Sequence, residues 1–157
     1  MKNILDKVTE ILMCIILTSM LLAASWQVFT RFILNSPSTL TEEFLRYSLI
    51  WLTMIGGAYA FGQKKHVAMN FLLRRLSDKI QNIMRIIVDI IVVIFSFFIL
   101  FYGGRITYNN AIGQVSAALG VPMQFLYLSL ILSGILMFFY AVSNIIYHIK
   151  NISIKNY

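Results

Sequence analysis

Cysteine occurs once in these 157 residues, proline and histidine twice each, and acidic residues only six times. A single thiol, Cys14, excludes an intramolecular disulfide and any cysteine-rich metal site. Standing inside an apolar run, it reads as a small apolar side chain. The scarcity of proline leaves long stretches free to be helical, and Pro37 and Pro122 both lie between apolar runs. Charge is also sparse: 12% of residues are charged against 59% hydrophobic, with a mean hydropathy of +0.80. A soluble domain of this length has no core large enough to hide that composition. The chain therefore reads as one membrane domain, residues 1–157, with the bilayer supplying the apolar surroundings.

What is present is long apolar runs. Residues 11–30 carry no charge, and twenty helical residues at about 1.5 Å each match a hydrocarbon core of roughly 30 Å. The start imitates a secretory signal peptide, but Asp6 and Glu10 interrupt its basic region and the run continues through Trp26 and Phe29. It reads as a first span, about 8–31. The turn at Asn35-Ser36-Pro37-Ser38 precedes a second span, about 40–63, for which Thr39 and Glu42 form a candidate capping box. A third span, about 84–108, contains an apolar run from Ile86 to Gly104 that is interrupted only by Asp89. A fourth, about 121–149, starts at Val121-Pro122, where proline suits a first helical turn. Between spans two and three, Met69, Leu72, Leu73, Leu76, Ile80 and Ile83 recur at helical spacing opposite polar residues. That pattern predicts an amphipathic arm helix, about 67–82, lying on the membrane surface. The expected fold class is an all-α integral membrane protein with four transmembrane helices and this cytoplasmic-side arm, without internal repeats.

The net charge of +7 is distributed unevenly. Lys2, Lys7, Lys64, Lys65, Arg74, Arg75, Lys79, Arg85, Lys150 and Lys155 fall at the two termini and the arm, and only Arg31, Arg46 and Arg105 at the opposite ends of the spans. Ten cations against three puts both termini and the arm in the cytoplasm of a multi-pass inner-membrane protein. Topology and anionic phospholipid account for the basic excess, which leaves no reason to invoke nucleic acid.

The remaining charged residues form small groups. Glu42 and Glu43 sit in the first turn of span two, where the helix dipole favours anions, and Arg46 lies one turn on, within reach of both. The group suits capping and ion pairing, and also docking to a neighbouring membrane protein. No nucleophile or histidine accompanies it in the same layer, so acid–base catalysis and an enzyme are disfavoured. Asp89 has Arg85 one turn before it on the same helical face, which suits a structural or subunit-facing ion pair. His66 and His148 fall at one membrane level, so a haem- or quinone-linked redox subunit is the alternative reading; otherwise no cofactor, metal or bound substrate is expected. Gly56, Gly57, Ala58 and Ala60 offer a small-residue packing seam.

The order Glu42-Glu43, Arg46, Trp51, Gly56-Gly57, basic residues, His66 and the amphipathic Phe71-Leu72-Leu73 resembles the small membrane subunit of tripartite ATP-independent periplasmic (TRAP) transporters. Val121-Pro122-Met123 leading to Tyr127 resembles the start of that family's last helix. Two positions depart from the pattern, Asn70 where Asp is common and Lys65 where Gly is frequent. The resemblance implies a fixed scaffold beside a large TRAP membrane subunit, which carries the substrate and sodium sites and moves as an elevator. It further implies a periplasmic substrate-binding protein that delivers an organic acid, of the sialic acid or C4-dicarboxylate class. The spans contain no polar, discontinuous midplane helices of the kind a secondary transporter uses to bind substrate, which points the same way. A small multidrug exporter is disfavoured, since the membrane-embedded glutamate usual in that type's first span is missing.

Overall fold

A computed structural model describes residues 2–63 and 78–155 of the chain. Helix α1 spans Lys2–Phe32 and α2 spans Thr39–Gly62. Helix α3, Asp78–Phe95, passes without a break into a π-helical segment, Ser96–Gly103, and then into α4, Gly104–Asn110. A hairpin over 111–123 leads to α5, Gln124–Lys155. Strand structure among the described residues is limited to one antiparallel bridge, Val115 with Pro122.

Among the described residues, three helices are long and apolar enough to cross a membrane: Ile4–Phe32, Ile83–Asn110 and Gln124–Ile146. The expected second span, α2, is not among them, although it has 24 residues. Glu42, Glu43 and Arg46 occupy its first two turns, and Tyr47, Ser48, Thr53, Gly56, Gly57 and Tyr59 dilute the rest. The expected arm lies mostly outside the described residues, and residues 78–82, read as its end, are the first turns of α3.

Two local expectations need correction. The N-cap of α2 is Ser38 rather than Thr39: its backbone is extended, its carbonyl accepts from the Glu42 amide at 3.3 Å and its hydroxyl from the Thr41 amide at 3.4 Å. Serine is as good a cap as threonine, and the turn delivers it one residue sooner. Pro122 is likewise outside α5, because it is engaged in the bridge to Val115.

Helix α5 is the centre of the packing, touching α2 on one side and α3, the π segment and α4 on the other, while α1 packs on α2. Of the most apolar window of α5, 28% is buried inside the protein, against 6% for α1. The core is small, with Phe61, Tyr140 and Ala141 surrounded by Leu5, Val92, Val93 and Met137. Helix contact is made close by small residues instead. A Cβ on Gly134 would come within 2.9 Å of the Leu100 Cβ and 3.0 Å of the Phe101 nitrogen. Fully buried Ser96, Ser129 and Ser133 donate to carbonyls one turn back, at 3.0, 2.7 and 3.0 Å, so their hydroxyls enter the seam without an unmet hydrogen bond.

Candidate functional site

The polar groups collect at the two ends of the bundle. At the end formed by the α1–α2 turn and the α4–α5 hairpin, α2 carries the Glu42, Glu43 and Arg46 group. Arg46 Nη2 lies 3.1 Å from Glu42 Oε1, one turn apart, with about two-thirds of each side chain in the open. Exposed pairs of this spacing are worth about 0.3–0.5 kcal/mol.

Glu43 points elsewhere. Its Oε2 accepts from the backbone amides of Ala118 and Leu119, both at 2.7 Å, and its Oε1 accepts from the Tyr47 hydroxyl at 2.8 Å. The same hydroxyl lies 3.3 Å from Met123 Sδ. Glu43 and Tyr47, four residues apart and so on one face of α2, thus grip the turn of the hairpin and the end of its second arm. The hairpin is shaped to be gripped. Gly113 and Gly120 take φ of 82° and 65°, values that favour glycine, and the amides of Ser116 and Met123 bond the carbonyls of Val121 and Gln114 at 2.9 Å. The Ser116 hydroxyl accepts from the Val121 amide at 3.2 Å.

Trp51, two turns further along α2, is half-buried against Phe125 at the start of α5, ring centroids 5.4 Å apart. Of the small-residue stretch, Ala58 is buried, while Gly56 and Gly57 make no tight contact within the chain. A Cβ on Gly56 would meet only Met13 Sδ at 3.6 Å, and one on Gly57 nothing within 4 Å. The close approach falls at Gly62, where a Cβ would lie 2.5 Å from the ring of Tyr140.

The opposite end, which carries the start of α1 and the later turns of α5, holds acid–hydroxyl pairs across helices. Tyr140 is fully buried and donates to Asp6 Oδ1 at 2.6 Å, joining α5 to α1. Tyr59 donates to Glu10, joining α2 to α1. Asp89 on α3 is buried, and its Oδ2 faces His148 Nε2 of α5 at 3.9 Å, both side chains less than a tenth exposed. Arg85, half-buried, stands one turn before Asp89. His66 and Asn70 lie outside the described residues, so nothing described brings His66 to His148. Sequence reasoning missed His148 as a neighbour of Asp89, the tyrosine partners of Asp6 and Glu10, and the hairpin amides. Backbone amides leave no sequence signal, but acids within a long apolar helix do ask for a partner.

The arrangement joins helices and shapes a loop, and no group of three or more potential metal ligands occurs among the described residues. Comparison with known proteins gives it a context. Residues 20–151 match the family model described as the DctQ component of tripartite ATP-independent periplasmic transporters. The chain is 30% identical over 134 residues to a TRAP transporter small permease protein of Haemophilus influenzae, covering 85% of this chain and 83% of that one. It is 26% identical over 139 residues to the sialic acid TRAP transporter small permease protein SiaQ of Vibrio cholerae, covering 88% and 80%. It is also 26% identical over 113 residues to the sialic acid TRAP transporter permease protein SiaT of Haemophilus influenzae, which covers 72% of this chain but 18% of that protein. With most of its length matched by the family model and by small permeases of similar size, this membrane chain belongs to the DctQ family, the small permease component of TRAP transporters.

Proposed function

We propose that the chain is the scaffold subunit of a sodium-coupled TRAP transporter importing an organic acid of the sialic acid or C4-dicarboxylate class. It supports a large, elevator-type subunit that carries the substrate, and a periplasmic binding protein delivers that substrate. The observation that carries this reading is the match to SiaT: a stretch similar to this chain makes up under a fifth of a much longer permease. When such a stretch is a separate chain, the rest of that permease has to come from a partner. Sialic acid appears in the names of two relatives, which supports that substrate class. Sodium coupling follows from the family resemblance.

In this reading α2 also crosses the membrane, as the second of four spans flanked by an amphipathic arm, and Glu42, Glu43, Arg46 and Trp51 orient it against the partner, by direct contact or through contacts within the chain. Gly56, Gly57, His66 and Asn70 belong to the same partner-facing or structural set, and Arg85 and Asp89 brace the other end. The apolar side chains that α1 and α3 expose, such as Leu22, Phe32 and Ile91, face phospholipid or the large subunit. Both termini lie in the cytoplasm, on the cation distribution. Two measurements test the proposal. In proteoliposomes with a sodium gradient, uptake of the acid requires this chain, the large subunit and the binding protein together; uptake by this chain alone overturns the scaffold role. In a Cys14-free background, cysteines at positions 68 and 152 stay unlabelled by an impermeant reagent outside intact cells; labelling overturns the topology.

A further inference from the structure

We infer that Glu43 is a positioning residue: it acts within the chain, fixing the α4–α5 hairpin to the first turns of α2, so that the large subunit meets a preset loop rather than the Glu43 charge. This rests on the subunit reading above. The geometry separates Glu43 from its neighbours in the motif. Glu42 and Arg46 turn outward as a mostly exposed pair. Both oxygens of Glu43 are occupied by donors of its own chain, two amides 75 and 76 residues away and the Tyr47 hydroxyl. The hairpin needs an external anchor, because its own closure is one bridge and a few backbone bonds around two glycines in the left-handed region. Two convergent amides on one oxygen, with the hydroxyl on the other, hold its position as well as its shape. The hairpin it holds presents Ile112 and Val115 on its first arm, both about two-thirds exposed.

Substitutions at position 43 distinguish a clasp from a charge read by the partner. Gln keeps an acceptor oxygen at the same reach, and its amide can donate to the Tyr47 oxygen; Asp keeps the charge but is one methylene too short. The full chain is measured in two ways: amide exchange of the 111–123 segment, and affinity for the large permease subunit in detergent or nanodiscs. With Glu43→Ala and Glu43→Asp, exchange of the segment should rise about tenfold or more and affinity fall by a similar factor, while Glu43→Gln stays within about threefold on both. The reverse order, with Asp retained and Gln lost, overturns the clasp in favour of a direct charge contact. Faster exchange in Glu43→Ala with unchanged affinity also overturns the inference, because the partner then ignores the hairpin. Failure of the wild-type chain to bind any large permease subunit sinks the subunit reading itself, a result distinguishable from the other two because hairpin exchange still reports the clasp.

Discussion

The two ends of the bundle use the same residue types for different work. At the end with the termini, Asp6 and Glu10 meet the hydroxyls of Tyr140 and Tyr59, so side chain binds side chain across helices. At the loop end, a glutamate and a tyrosine close a grip on backbone amides and a methionine sulfur. The first arrangement sets the distance between helices, which in a membrane the hydrophobic effect alone does not set, since lipid is as apolar as the helices themselves. The second sets the shape of a loop whose sequence has little regular structure of its own. A small protein with three buried core residues in its main cluster thus depends on polar ends to fix an apolar waist.

The largest effect expected from breaking this arrangement is at Gly62. A methyl group there would lie 2.5–2.7 Å from three ring carbons of Tyr140, a side chain with no exposed surface and its hydroxyl tied to Asp6. Gly62→Ala should destabilise the chain by about 1–3 kcal/mol or more, because ring, helix and acid must shift together. Thermal unfolding in detergent checks it, and a shift no larger than that of Gly57→Ala, where space is open, would show that the terminus end is loosely packed after all.

Next in size is Tyr140→Phe, which keeps the ring on Gly62 but removes the donor to Asp6. A part-buried carboxylate left without that hydroxyl should cost about 1–3 kcal/mol. If Tyr140→Phe is neutral while Gly62→Ala is not, the terminus end is held by shape and the acid pairs are incidental. At the loop end, Tyr47→Phe removes the phenol donor to Glu43 and leaves both amides. A loss of about 0.5–1.5 kcal/mol is expected, seen first as faster exchange in the 111–123 segment. An effect as large as that of Tyr140→Phe would make the ends equivalent.

What could be read in advance followed the physics of each feature. Three of the described helices announce themselves by high hydropathy over twenty or more residues, and the turn before α2 by Asn35 and Pro37, with Asn35 indeed at φ 48°. The cap was misplaced by one residue because Ser38 and Thr39 have the same capping chemistry and only backbone geometry separates them. The π segment was invisible, since Ser96–Gly103 is as apolar as its neighbours, and Leu100 and Phe101 within it lie close against Gly134. Glu43 looked like Glu42 in sequence. Their opposite directions come from a hairpin about 75 residues away, a contact that no periodicity encodes. Asp89 pointed to Arg85, one turn away, but its cross-helix neighbour, His148, required knowing how α3 lies on α5.

The smallest effect on this chain by itself should come from the charges that drew most notice in the sequence. Glu42 and Arg46 are exposed, one turn apart on the same helix, and join nothing distant. Arg46→Gln or Glu42→Gln should change the stability of the isolated chain by no more than about 0.5 kcal/mol, less still as salt screens the pair. The same variants matter elsewhere if the partner reads them. In the complex, water is excluded and a charge left without its counterpart costs far more than it does in the open, so affinity for the large subunit should fall severalfold while unfolding of the isolated chain stays put. Measured side by side, the two quantities separate the roles: stability tracks Gly62, Tyr140 and Tyr47, and assembly tracks Glu42 and Arg46. A parallel loss of both in Arg46→Gln would mean that the exposed pair supports the fold, which would erase the contrast between one end that binds helices together and another that leaves a charged pair in the open.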